Sequence, residues 1–186
     1  MGTQKYKDAG DLRERPKVLR LQPTAEGYVW QPIRTTWANA ELSVRRNVWS
    51  VYGIGATGVT FIMRRQPLTL EHALNWKGQH CFITSITPWG LNHIKVEAAL
   101  VEITECENKY RAVKFPGIIT EEYHRHEQLE PQAINTLRHV LVTPKCIELT
   151  PGKLVEVGDE NPWNILTAHL LDPRKNEYII ERVKDL

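Results

Sequence analysis

The chain has 186 residues, 41% of them apolar, enough to bury the core of one ordinary domain or two small ones. Lys and Arg number 24 against 22 Asp and Glu, so no overall field of either sign draws the protein onto nucleic acid or an anionic surface. Any electrostatic contact has to come from a local patch. Three cysteines, Cys81, Cys106 and Cys146, lie far apart without CxxC pairing; they read as reduced thiols of a cytosolic protein rather than as a zinc or redox site. No apolar run has the length of a signal core or a membrane span, and Tyr6 stands where a myristoylation pattern needs Ser or Thr, so neither leader nor lipid anchor is expected.

Residues 1–15 carry a dense charge run, KYKDAGDLRER, with almost no large apolar side chain to offset the entropy of ordering, and a flexible N-terminal arm is expected. After Pro16, KVLRLQ reads as a short strand, PTAEG as a turn, and YVWQPIRTTWANAEL as strand again. Pro32 lacks an N–H and so belongs on an edge or at a bulge. From Thr36 onward, Trp37, Asn39 and Glu41 alternate with Ala38, Ala40 and Leu42. In SVRRNVWSVYGIGATG, Val44, Val48, Val51 and Tyr52 fall at helical spacing, but the β-branched residues and Gly53, Gly55 and Gly58 favour a long loop with at most one helical turn. VTFIMRR then places Val59, Phe61 and Met63 on one face of a strand that Pro67 closes.

The clearest local code lies in HALNWKGQHCFITSITPWGLNHIKVEAALVEI. Leu74 and Trp76 lead into a Lys77–Gly78 turn, Phe82 to Ile86 form the next strand, and PWGLN turns into a third. Beyond Glu105 the text is polar, FPG reads as a turn, and either short helices or strands with a charged loop fit up to Val142; a short helix near Glu121–Leu129 is expected. After Pro144 the β pattern returns, with TPG, GDENPW and DPRKNE as turns. The expected fold is therefore mainly β: a small antiparallel β-barrel or sandwich with a long inserted loop over 16–105, then a second, smaller β region with a short helix over 106–186. The run from Leu74 to Glu97 and the run from Leu149 to Val183 repeat one order of features: apolar pair, Gly turn, apolar strand, Pro turn, final strand. A degenerate repeat and two ordinary hairpin sets both fit that echo.

The order of DLRERPKVLRLQ, YVWQPIRTTWANAEL, RRNVWSVYGIGATGVTFIMRRQP and ALNWKGQHCFITSITP resembles the head-closure proteins of tailed bacteriophages, also called head-tail joining or stopper proteins. Leu12 and Arg13, Trp37 and Ala38, Val59 to Arg64, and Trp76, Gly78, Phe82, Ile83 and Ile86 occupy the places of that family's short motifs, over about residues 11–105. The family's His in its Thr-His element is replaced here by Gly58-Val59, and residues 106–186 continue past the end of the common family member. The resemblance implies a β-barrel subunit of a ring below the portal and its adaptor, which closes the DNA-filled head and presents a surface to tail-completion or tail-tube proteins. It implies a virion neck protein, in the host cytoplasm during assembly, with the packaged double-stranded DNA in its channel and no membrane partner. The family's channel loop matches Ser43–Gly58, so Arg45, Arg46, Trp49, Tyr52, Gly53, Gly55 and Gly58 are the candidate site residues. Arg45 and Arg46 suit phosphates or carboxylates, and Trp49 and Tyr52 suit a neighbouring copy.

Rival chemistry is thin. His124 and His126, with Glu121, Glu122 and Glu127, place two imidazoles on one strand face, but spacing fixes no third ligand and a solvated polar loop explains them. There is no GxSxG elbow or GxxxxGKS loop, GIGATG lacks the strand and helix of a βαβ unit, and Cys81 sits inside an apolar strand text. No catalytic residue, cofactor or metal is expected. Six Trp, several near Arg or Lys, keep a second class open, a small-barrel nucleic-acid module that stacks bases. Against it stand the small net charge and the positions of Trp37, Trp76 and Trp163, where burial is the simpler explanation. A tail-completion or other neck position is a further alternative.

Overall fold

The computed structural model describes residues 9–43, 57–69, 71–124, 136–158 and 162–183; at 9, 43, 121–124 and 136–138 it describes backbone only. A 3-10 turn at Ala9–Asp11 precedes thirteen strands: β1 (Lys17–Pro23), β2 (Tyr28–Thr35), β3 (Ala38–Ser43), β4 (Thr57–Arg64), β5 (His72–Trp76), β6 (Gln79–Trp89), β7 (His93–Val101), β8 (Thr104–Asn108), β9 (Val113–His124), β10 (Thr136–Pro144), β11 (Leu154–Val157), β12 (Trp163–His169) and β13 (Lys175–Arg182). No α-helix occurs among the described residues. The chain divides into two units, the first holding β3–β7 with most of β1 and β2, the second holding β8–β13 together with Gln22–Val29.

In the first unit the strands lie in the order β2-β1-β5-β6-β7-β4-β3. The two ends of this sheet are neighbours in the chain, because only Thr36 and Trp37 separate β2 from β3. Glu14 and Ala38 exchange both backbone hydrogen bonds at 2.9 Å, and the Thr36 N–H donates to the Pro16 carbonyl at 3.0 Å. Thus β2 and β3 are two halves of one interrupted strand, and the sheet curls into a circuit. The exposed Pro32 lies on β2, at an end of the strand order, where a missing N–H costs least. Between β5 and β6, Lys77 (φ 53°) and Gly78 (φ 84°) form the two-residue turn that matches strand twist. Val18, Val59, Phe61, Met63, Leu74, Cys81, Ile83 and Val96 fill the interior.

The second unit is a closed barrel ordered β10-β13-β12-β11-β8-β9, around Phe115, Leu141, Val155, Trp163, Ile165, Tyr178 and Ile180. β9 changes partner midway: Val113–Gly117 pair with β8, Ile118–His124 with β10. Gly117 stands where a Cβ would fall 2.6 Å from Cys106 Sγ and 2.8 Å from Leu141 Cδ1, so the interior closes only over a bare Cα. The β10–β11 connection is tied down by buried hydrogen bonds from Thr143 Oγ1 and Asn176 Nδ2 to the Ile147 carbonyl, each 2.9 Å. The Leu149 N–H donates to Tyr178 Oη at 2.9 Å.

With β2 and β3 counted as one strand, the first unit runs first-fourth-fifth-sixth-third-second and back to first in order of sequence, and the second unit runs the same way. In this common order β5, β6 and β7 stand where β11, β12 and β13 stand, and these are the stretches that echo one another in sequence.

Several expectations are corrected. Within the predicted arm, Leu12 is buried and the Glu14 carboxylate accepts the Trp76 indole N–H at 2.9 Å, so a few contacts tie down a charge-rich segment. FPG is not a turn: Phe115, Pro116 and Gly117 lie inside β9, opposite Cys106, Glu105 and Thr104. Pro116 is tolerated because the Lys114 N–H points to the Glu26 carbonyl, away from β8, and the missing N–H two residues on falls on that same side. The predicted helix is overturned as far as the residues are described: 121–124 continue β9 against 136–139, strand pairing overriding the helix propensity of a charged run. The second unit is a closed barrel of six strands.

Candidate functional site: the β3–β4 hairpin

Arg45, Arg46, Trp49, Tyr52, Gly53 and Gly55 lie outside the described residues. Gly58 does not belong to the loop: it is a buried residue of β4, between Ser43 of β3 and Ala99 of β7. The connection therefore spans 44–56, one residue shorter at one end and two at the other than the motif match.

Its stem is firmly held. β4 is paired over its whole length, with β3 on one side and with β7 from Thr57–Leu100 to Arg64–His93 on the other. Val59, Phe61 and Met63 drive its inward face into the core, as their alternation predicts. Toward the tip the stem turns outward: Leu42 is 58% exposed, and Glu41 and Thr57 are exposed.

The opposite edge of β3 differs. Ala38 spends both backbone groups on Glu14, on the side away from β4. By the period of two, Ala40 and Leu42 direct their N–H and C=O to that same side, where no strand follows among the described residues.

The second unit carries the corresponding hairpin, β9–β10, with its connection at 125–135. His124 ends β9 and His126 lies outside the described residues; no group of three or more metal-ligating side chains occurs among the described residues. Cys81 and Cys106 are buried, and burial pushes both thiols up to about 12, which removes them as nucleophiles. His80 is pushed down to about 4 by burial, its ring 5.2 Å from that of Trp30; neither His80 Nε2 nor Trp30 Nε1 has a hydrogen-bond partner among the described residues. That pair offers no base within reach of an activated nucleophile.

Trp76 and Trp163 are buried as expected, whereas Trp37 is 53% exposed with the Arg15 guanidinium 4.9 Å from its ring centre. Ala38 is fully buried, so the adjacent Trp37 faces the other way. Among the described residues the geometry supplies two anchored hairpin stems, β3–β4 and β9–β10. No family model matches the chain, and neither a curated protein nor a solved structure matches it.

Proposed function

We propose that this protein is a structural component of a tailed-phage neck, forming a ring below the portal and adaptor that closes the DNA-filled head and receives the tail. It acts without catalysis, cofactor or metal. The observation that carries the proposal is the β3–β4 hairpin: a stem in which β4 is paired along its full length to β7 and to β3 from Gly58 to Met63, bearing at 44–56 the connection that corresponds to the family's channel loop. Supporting it, the matched motifs fall on successive elements in the family's order, Trp37–Ala38 entering β3, Val59–Arg64 in β4, Trp76–Gly78 at the β5–β6 turn and Phe82, Ile83 and Ile86 in β6. A rigid stem suits a loop that must hold position against pressurised DNA.

The test is to add purified protein to tail-less, DNA-filled heads and image them. A ring at the single portal vertex with DNA retained supports the proposal, and heads that bind no protein and leak as before sink it. One observation favours a second reading, a nucleic-acid-binding barrel: the exposed Trp37 beside Arg15 is a stacking platform in miniature. Salt-sensitive binding of the isolated protein to single strands supports that alternative, and absence of binding removes it.

A further inference from the structure

We infer that the first unit binds a phosphate group where β1, β2 and β5 meet the β4–β5 connection, through Arg20, Arg34 and His72. The site does not depend on the ring proposal, since it lies on these strands and not on the 44–56 connection.

Three neighbouring strands bring the side chains together. Arg20 stands directly opposite His72 in the β1–β5 ladder, and residues so paired share one face with their side chains in reach of each other. Arg34 comes from β2, the strand on the other side of β1. Its Nε donates to Gln66 Oε1 at 3.1 Å and its Nη2 to the Pro67 carbonyl at 3.0 Å, so its head group lies beside the chain that leads into β5. Gln66 is itself held, its Nε2 donating to Thr36 Oγ1 at 2.9 Å.

His72 is oriented as firmly. The Thr69 N–H donates to its Nδ1 at 3.1 Å, and Thr69 Oγ1 lies 2.8 Å from the same atom. A ring nitrogen that accepts a backbone N–H holds no proton of its own, so the neutral imidazole carries its proton on Nε2.

What fixes these groups does not neutralise them. Arg34 makes its two hydrogen bonds to an amide oxygen and a carbonyl, both uncharged. Burial holds His72 below its ordinary value, and the charges of Arg34 and Arg20 push it the same way and outweigh Glu71, which opposes them. The field at the imidazole is therefore positive. Two guanidinium forks and one imidazole N–H in a field of that sign are donors prepared for an anion. Donors from three side chains suit the several oxygens of a phosphate better than the two of a carboxylate. Phosphate chemistry has two sources here, the backbone of duplex DNA and a free phosphomonoester.

NMR of the full-length protein reads the site through the ring C–H signals of His72, assigned among the seven histidines by their absence from His72→Gln. Inorganic phosphate added at constant ionic strength should move these signals saturably in the roughly millimolar range. It should also raise the pH midpoint of His72, because the bound negative charge offsets the two guanidinium groups. Arg20→Gln, a change at an exposed position, should weaken binding at least about tenfold. Arg34→Lys, which keeps the charge and loses the fork, should act in the same direction. A short DNA duplex that moves the same signals supports the site with the backbone as its source, and a response to phosphate alone supports it with a phosphomonoester. Signals that ignore both probes, or that answer acetate as strongly as phosphate, overturn the site. So does an equal response from folded Arg20→Gln.

Discussion

Gly117 provides the sharpest test of how the second barrel closes. Its place on β9 puts an added methyl 2.6 Å from Cys106 Sγ and 2.8 Å from Leu141 Cδ1, and both of those side chains are buried with little room to yield. Overpacking of this kind costs about 1–3 kcal/mol. Ala in place of Gly returns roughly 0.4–1 kcal/mol by restricting the unfolded chain. Gly117→Ala should therefore lose up to about 2.6 kcal/mol net, about 1.3 kcal/mol at the middle of the two ranges. Cys106→Ala vacates the nearer contact, so the double variant should show a coupling of about 1 kcal/mol, with Gly117→Ala much better tolerated in that background. Urea unfolding followed by hydrogen exchange in β8–β10 is the assay, which isolates this unit from the other. Additivity of the two changes would refute the closure of β8, β9 and β10 around a bare Cα.

Three other predictions address titration, thiols and assembly. His80 binds its proton near 4 in the folded chain instead of 6.5, so its stabilising contribution is complete above about pH 6.5 and is lost as pH falls toward 4, about 3 kcal/mol in all. The fall in stability between pH 7 and 4 should be smaller in His80→Phe than in wild type by about that amount; equal slopes would contradict the burial of a neutral ring. At pH 8 an aromatic disulfide reagent should modify the exposed Cys146 promptly and reach Cys81 and Cys106 only after denaturation, and prompt titration of all three would place those two thiols outside the barrels. Replacing Trp49 and Tyr52 together by Ala should weaken ring formation on heads without moving the thermal transition; unchanged assembly removes them from the interface.

What the sequence disclosed depended on how local the determining physics was. β5–β7 could be read directly because Lys77–Gly78 and Gly90 supply the left-handed turn residues and the strands between them alternate. The β8–β9 hairpin was hidden for the converse reason: its turn contains neither Gly nor Pro, Ala112 takes the left-handed conformation (φ 50°), and the only signal is Asn108, whose Oδ1 accepts the Tyr110 N–H at 3.1 Å. Pro116 and Gly117 look like turn text, yet one sits where no β8 hydrogen bond is needed and the other where no side chain fits. The limits of the β3–β4 connection were legible to within two residues, since Val59, Phe61 and Met63 fix the strand that follows. The bridge between Glu14 and Ala38 at the start of β3 was not legible, because it is a matter of distant partners rather than neighbouring residues. Leu12 was lost among charges for the same reason, its burial being set by the fold and not by the charged residues around it.

If the protein closes a phage head as proposed, the most direct measurement is electron microscopy of particles from the phage or prophage that carries this gene, with the gene deleted, followed by addition of the purified protein. A neck ring that closes the head predicts isolated tails beside untailed heads that packaged and then lost their DNA, with tailed particles restored when the protein is supplied before leakage. Normal, infectious, tailed particles from the deletion would contradict a role in head closure.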